Sequence, residues 1–265
     1  MEYLDALRLQ LEWGADEALL DDPQNRFAAQ PKPAATPSLP GPVAATPRPR
    51  AIIPGLPPGP AEAEQIAAAC ATLEDLRAAL QNFSGCGLRD TATQLVFADG
   101  ADDTNLILIG EAPGAEEDRA GRPFVGPAGQ LLDRMLASIG LDRKKCRIVN
   151  TVPWRPPGNR APSESELAVC LPFLRRHIAL IRPAGLLLLG AVAAKAMLPA
   201  QTGNTGIRRL RGRWHSLDIP GLDAPIAALP TYHPAYLLRT PNAKRESWHD
   251  LIALRQWLND GTKTI

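Results

Sequence analysis

Three stretches of this chain set polar and aromatic side chains directly after apolar runs. "GEAPGAEEDRAGRPFVG" (110–126) follows Leu106-Ile107-Leu108-Ile109 and supplies Glu111, Glu117 and Phe124. "NTVPWRPPGNRAPSE" (150–164) supplies Asn150, Arg155 and Arg160. "PTYHPAYLLR" (230–239) supplies His233, Leu237 and Arg239. Together these types suit the removal of a base swung out of DNA. A duplex base cannot be attacked inside its stack; it has to be extruded, stacked on an aromatic and read along its edge. Phe124, held between turns, offers a stacking face. Asn150 can accept from a uracil N3–H and donate to O4, whereas cytosine presents the opposite pattern. Breaking the glycosidic bond leaves negative charge on the base, which His233 can bind at O2. It leaves positive charge on the sugar, which Glu111 can face while holding the attacking water. Leu237 could wedge into the gap left in the stack. Taken singly, each has an ordinary role as loop acid, core aromatic, turn cap or core leucine. The case for a site is that all five follow strand ends.

Those strand ends imply an α/β fold. The pattern predicts a helix over 61–81, strands over 105–109 and 146–152, and a helix over 128–139 stopped by Gly140. It predicts a helix over 163–181 with Ser163 and Glu166 as a capping box. A buried strand over 184–190, a helix over 191–198, strands over 207–217 and 225–230, and a helix over 243–259 complete it. Alternation of this kind means a parallel sheet covered by helices on both faces. Ligands of such sheets bind at the carboxyl edge, where the three loops converge.

The 265 residues allow one sizeable domain with appendages, expected over 61–265. Residues 1–24 carry seven acids against Arg8 and read as an acidic helix. Residues 25–60 hold eleven of the 27 prolines and read as an extended tether. That leash could dock a protein partner, solubilise the chain or fold back on the domain. Net charge is only +1, but residues 204–245 carry seven Arg and Lys, Arg211 among them, against Asp218 and Asp223. This is a candidate phosphate-facing surface. No apolar run approaches the roughly 20 residues of a membrane span, and no signal-peptide layout is present. A cytoplasmic protein is expected. The four cysteines, Cys70, Cys86, Cys146 and Cys170, form no C-x-x-C pair.

The blocks "LIGEAPGAEEDRAGRPFVGPAGQLLDRML", "NTVPWRPPGNRAPSESE", "LLLLGAVAAKAML", "IRRLRGRW" and "PTYHPAYLLR" resemble the uracil-DNA glycosylase superfamily, family 4 most closely, over about residues 83–260. The resemblance implies a three-layer α/β/α sandwich around a four-stranded parallel sheet. It implies a monomeric DNA repair enzyme that excises uracil. It assigns water handling to Glu111, the pocket wall to Glu117, stacking to Phe124, base reading to Asn150 and leaving-group stabilisation to His233. Ala112 joins the pocket at a position that varies among members. Arg155, Arg160, Arg211, Leu237 and Arg239 are the expected DNA contacts.

Departures from the family pattern are informative. Family 4 enzymes hold a 4Fe–4S cluster on four cysteines. Here Phe83 and Trp154 stand at two of those positions, leaving Cys86 and Cys170. Neither aromatic can ligate iron. The expectation is therefore no cluster and no cofactor, with aromatic packing in its place. A basic insertion found in a branch that traps its product on a histidine is missing after "RPPGNR", so hydrolysis through water is expected. Ala235 replaces the serine usual after His-Pro. The residues leave open a deaminated purine as substrate, hypoxanthine or xanthine, or a DNA-binding protein without catalysis.

Overall fold

The computed structural model of the chain describes residues 58–198 and 205–261. All of these belong to a unit spanning residues 53–265. The acidic helix expected over 1–24 and nearly all of the 25–60 tether lie outside the described residues.

Helix α1 (Pro60–Ala69) starts with proline in its first turn, and Glu62 accepts the Gly59 N–H at 2.9 Å. The single helix expected over 61–81 is in fact two. Thr72 opens α2 (Leu73–Asn82) with a reciprocal cap: its hydroxyl accepts the Asp75 N–H at 3.1 Å, and Asp75 accepts the Thr72 N–H at 3.0 Å. Arg176 donates to the Cys70 carbonyl at the break, at 2.8 Å through Nε. A short α3 (Leu88–Thr91) and strand β1 (Asp99–Gly100) follow. Next come β2 (Leu106–Gly110), α4 (Ala115–Ala120), α5 (Pro127–Ala137) and β3 (Arg147–Asn150). Helix α6 (Glu164–Ile181) begins at the Ser163–Glu166 capping box that the sequence indicates. Strand β4 (Gly185–Leu189) leads into α7 (Ala191–Met197). The strand expected over 207–217 is split. Residues Ile207–Leu210 form a helical turn, α8, Gly212 reverses the chain at φ +70°, and only His215–Leu217 is strand, β5. Strand β6 (Ile226–Thr231), α9 (Pro234–Arg239) and α10 (Lys244–Asn259) close the domain.

The described residues form one sheet in the order β1-β3-β2-β4-β6-β5. Its centre is the four parallel strands expected, β3, β2, β4 and β6. Antiparallel β1 and β5 are added at the edges. All residues of β2 and β4 are buried, which is why they read as unbroken apolar runs. Alternate residues face opposite layers. Ile107, Ile109, Val149, Leu186 and Leu188 pack with α1, α2 and α6 on one face. Leu106, Leu108, Ile148, Leu187 and Leu189 pack with α5, α9 and α10 on the other. The result is the three-layer α/β/α arrangement. The chain runs from β2 to β3 on one side, then returns to β4 on the other side of β2. That reversal opens a crevice at the carboxyl ends of the central strands.

Arg211 does not belong to the open basic surface where the sequence placed it. Its side chain is 14 % exposed, and its guanidinium contacts Asp250, itself 2 % exposed, at 2.5 and 3.0 Å. It also reaches Glu246 and lies over the Tyr232 ring at 5.2 Å. The turn after α8 and strand β6 are thereby tied to α10, with Thr231 donating to Asp250 at 2.7 Å. Arg211→Ala strands a buried carboxylate and should cost about 3–5 kcal/mol in urea unfolding. Replacing Asp250 by Asn in the same chain should recover part of it. A loss under ~1 kcal/mol would show that the pair does not hold this edge.

Candidate active site

One cavity of about 680 Å³ sits at the carboxyl edge of the sheet. It gathers Glu111, Ala112, Glu117, Phe124, Asn150, Arg160, His233 and Arg239 from the three loops. Arg155 is not on its wall; its Nε donates to Asn159 at 2.7 Å. Arg160 reaches the wall with its guanidinium forked onto Glu166 at 2.6 and 2.8 Å. Cavity residues that the sequence did not single out for the site include Arg208, Tyr232 and Tyr236. Arg208 was visible in the basic stretch, and the two tyrosines flank His233-Pro234.

The floor is built where β2 ends. A Cβ on Gly110 would lie 2.4 Å from Asn150 Oδ1 and 2.6 Å from the Phe124 ring. Only glycine lets those two side chains close over the strand end. The Thr151 N–H donates to the Gly110 carbonyl at 3.0 Å, and the Val152 N–H to the Glu111 carbonyl at 3.3 Å. The loops after β2 and β3 are thus laced together, fixing Glu111 relative to Asn150. Phe124 is 6 % exposed and has φ +55°, a left-handed conformation unusual for a phenylalanine. Its ring centroid is 5.5 Å from that of His233.

Glu117 is a brace as well as a wall. Its Oε1 accepts the Val125 and Gly126 N–H groups, both at 2.9 Å, and its Oε2 accepts the Gly114 N–H at 3.1 Å. Asn150 is 7 % exposed, and its Oδ1 has no hydrogen-bond partner among the described residues. A buried carbonyl left unpaired costs about 1–3 kcal/mol.

His233 caps α9, where its Nδ1 accepts the Ala235 N–H at 3.1 Å. Burial, helped by the Arg239 charge, pushes the imidazole down to about 4. The ring is therefore neutral at pH 7, and with Nδ1 accepting, its proton is on Nε2. Burial raises the Glu111 carboxyl above its ordinary range, and the Arg239 charge opposes the rise. One exposed arginine thus acts on both groups.

Leu237 is not placed to wedge into DNA. It is 1 % exposed and packs in the layer with α5 and α10. A helix that starts at Pro234 turns positions 234 and 237 toward the sheet. Its neighbour Leu238 is 42 % exposed, and Tyr236 is 37 % exposed.

The cysteines do not match a four-thiolate cluster. Cys86 and Cys170 meet with their sulfurs 3.8 Å apart, both buried. Phe83, 3 % exposed, stands edge-on to Phe173 at 4.9 Å, and Trp154 is 2 % exposed in the same layer. Cys146 packs on the opposite face of the sheet. Cys70 donates to the Ile66 carbonyl at 3.3 Å. Among the described residues, no three His, Cys, Asp or Glu side chains are grouped to share a metal ion. With two thiols together and aromatics around them, the residues present do not fit the cluster.

A family model described as the Uracil DNA glycosylase superfamily matches residues 97–252, which include all three loops. The chain belongs to this superfamily. Similar curated proteins include the type-4 uracil-DNA glycosylase of Pyrobaculum aerophilum, 36 % identical over 68 % of this chain and 91 % of the relative. The type-4 enzyme of Thermotoga maritima is 40 % identical over 59 % of this chain and 78 % of its own length. That of Archaeoglobus fulgidus is 36 % identical over 66 % and 87 %. Among the described residues of this superfamily member, no helix is long and apolar enough to cross a membrane.

The buried histidines make a pH prediction. Burial also pushes His177 down, to about 3, beside the Arg147 guanidinium that donates to its Nε2 at 3.2 Å. Both values lie below the ~6.5 of a free imidazole. Between there and the folded values the unfolded chain binds more protons, so stability rises with pH. Their contribution is complete above about pH 6.5 and is lost as pH falls towards 4, at up to ~1.4 kcal/mol per unit for each histidine. Urea midpoints measured from pH 7 to pH 5 should fall less steeply for His177→Gln than for the parent chain. Identical slopes would contradict a neutral buried His177.

Proposed function

We propose that this chain excises uracil from DNA by base flipping and hydrolysis through water, with no metal centre. Membership of the superfamily and relatives named uracil-DNA glycosylase support the substrate and the reaction class, a hydrolase of DNA repair. The observation that carries the reading is the buried Asn150 Oδ1, without a partner among the described residues, beside the Phe124 ring. A flipped uracil lies on Phe124 and brings its N3–H to that oxygen. Cytosine brings a lone pair to the same place and leaves the carbonyl unpaired. A site built on such a hydrogen bond can reject the wrong partner by roughly 10⁴–10⁵.

As the glycosidic bond lengthens, negative charge gathers on O2 of the base. The neutral His233 donates its Nε2–H there, and neutrality keeps that proton available across the working range. Glu111 holds the water and faces the sugar cation. Arg239 and Arg208 lie at the rim, where phosphates of the strand would pass. Leu238, not the buried Leu237, is the apolar side chain able to enter the vacated stack. Phe83, Trp154 and Phe173 supply by packing what a cluster would supply by ligation. Buried aromatics of this kind are worth about 3–5 kcal/mol each on truncation to Ala.

Hypoxanthine merits a second reading for one reason. Its N1–H and O6 repeat the uracil edge, and a cavity of about 680 Å³ has room for a purine.

Oligonucleotides carrying one uracil or one hypoxanthine separate these readings when scored for alkali-labile abasic sites with purified, iron-assayed protein. Uracil strands should be cut by protein containing no stoichiometric iron. His233→Ala should lower kcat by about 10²–10³, and Glu111→Ala should also be severely impaired. Cleavage of the hypoxanthine strand alone would transfer the function to the purine. Cleavage of neither would end the glycosylase reading, and stoichiometric iron would end the metal-free one.

A further inference from the structure

Phe124 holds a backbone conformation that a phenylalanine rarely adopts, and its surroundings force it there. The Pro123 carbonyl accepts from Arg143 at 3.1 Å, and the Phe124 carbonyl accepts from the same guanidinium. The two N–H groups that follow, of Val125 and Gly126, donate to Glu117. A Cβ on Gly129 would lie 1.7 Å from the Phe124 carbonyl oxygen, so the first turn of α5 is pressed directly against it. A left-handed non-glycine residue persists only where neighbours over-determine it.

Arg143 is not on the cavity wall. It comes from the single turn Arg143–Lys145 that precedes β3. Its own position is fixed from two further sides, by Asp133 of α5 at 2.7 Å and Asp99 of β1 at 2.6 Å. A planar fork is needed to reach two carbonyls and two carboxylates at once, and an ammonium cannot do so.

We propose that Arg143 is a positioning residue for the base pocket. It locks the Phe124 backbone from outside the cavity and so aims the ring at the flipped base. The inference rests on the stacking role given to Phe124 above. Its signature is that Arg143 acts through the ring and not through the general stability of the fold.

A double-mutant cycle on kcat/KM for the uracil oligonucleotide tests this, with Arg143→Lys in the parent chain and in Phe124→Ala. Arg143→Lys should lower kcat/KM about tenfold in the parent and less than about twofold once the ring is gone. An equal loss in both backgrounds would overturn the proposal, since Arg143 would then act without the ring. So would no loss in the parent. If Phe124→Ala itself leaves kcat/KM unchanged, the stacking role fails, and that result is distinct from either. If Arg143→Lys does not fold, Asp133→Asn, which loosens the guanidinium from the far side, enters the same cycle under the same criteria.

Discussion

The carboxylate of Glu117 is the contact on which the site depends. Three backbone N–H groups, of Gly114, Val125 and Gly126, converge on its two oxygens. Those groups belong to the loop leaving β2 and to the turn that enters α5. Without the carboxylate the two loops would lose their common anchor, and the Phe124 turn would lose one of the contacts that hold it left-handed. Glu117 thus converts a flexible glycine- and proline-rich stretch into a rigid wall. The rest of the pocket is assembled against that wall: Asn150 beside the Phe124 ring, the His233 ring 5.5 Å from it, and Glu111 laced to the loop after β3.

The same geometry sets the electrostatics. His233 is kept neutral by burial and by Arg239, and its Nδ1 is occupied by the Ala235 N–H. Only Nε2 is left to donate. Asn150 Oδ1, buried and without a partner among the described residues, is on the proposed chemistry the complementary acceptor. On the proposed chemistry, one donor and one acceptor lining the same cavity suit a planar ring with a carbonyl at one edge and an N–H at another. Gly110 and Gly190 keep the slot open. A Cβ on Gly190, which sits at φ +94°, would lie 2.9 Å from the His233 Cβ.

Much of this architecture was legible in the sequence. The apolar runs at 106–109 and 184–190 announced buried strands, and the carboxyl ends of the strands expected over 105–109, 146–152 and 225–230 located the three loops. Glu111, Asn150 and His233 were readable because each sits at or just beyond the carboxyl end of one of those strands. What was not readable depends on phase and on distance. The break between α1 and α2 turns on the Thr72–Asp75 cap, which an alanine- and leucine-rich stretch conceals. Leu237 and Leu238 differ only in which side of a six-residue helix they occupy, and that follows from the helix starting at Pro234. Ile207–Leu210 read as the start of a strand over 207–217, but it is a single helical turn and Gly212 reverses the chain after it. Arg211 looked like one more surface cation because its partner Asp250 lies 39 residues away. Arg143 was hidden in a run with Lys144 and Lys145, 19 residues from the carbonyl of Phe124.

The most direct test is a crystal structure of the protein with an oligonucleotide carrying one 2′-fluoro-2′-deoxyuridine. The fluorine destabilises the sugar cation, so the base stays attached. The account predicts the uracil flat on Phe124, its N3 within hydrogen-bond distance of Asn150 Oδ1, and its O2 facing His233 Nε2. A base bound outside this cavity, or seated with Asn150 Oδ1 still unpaired, would contradict it.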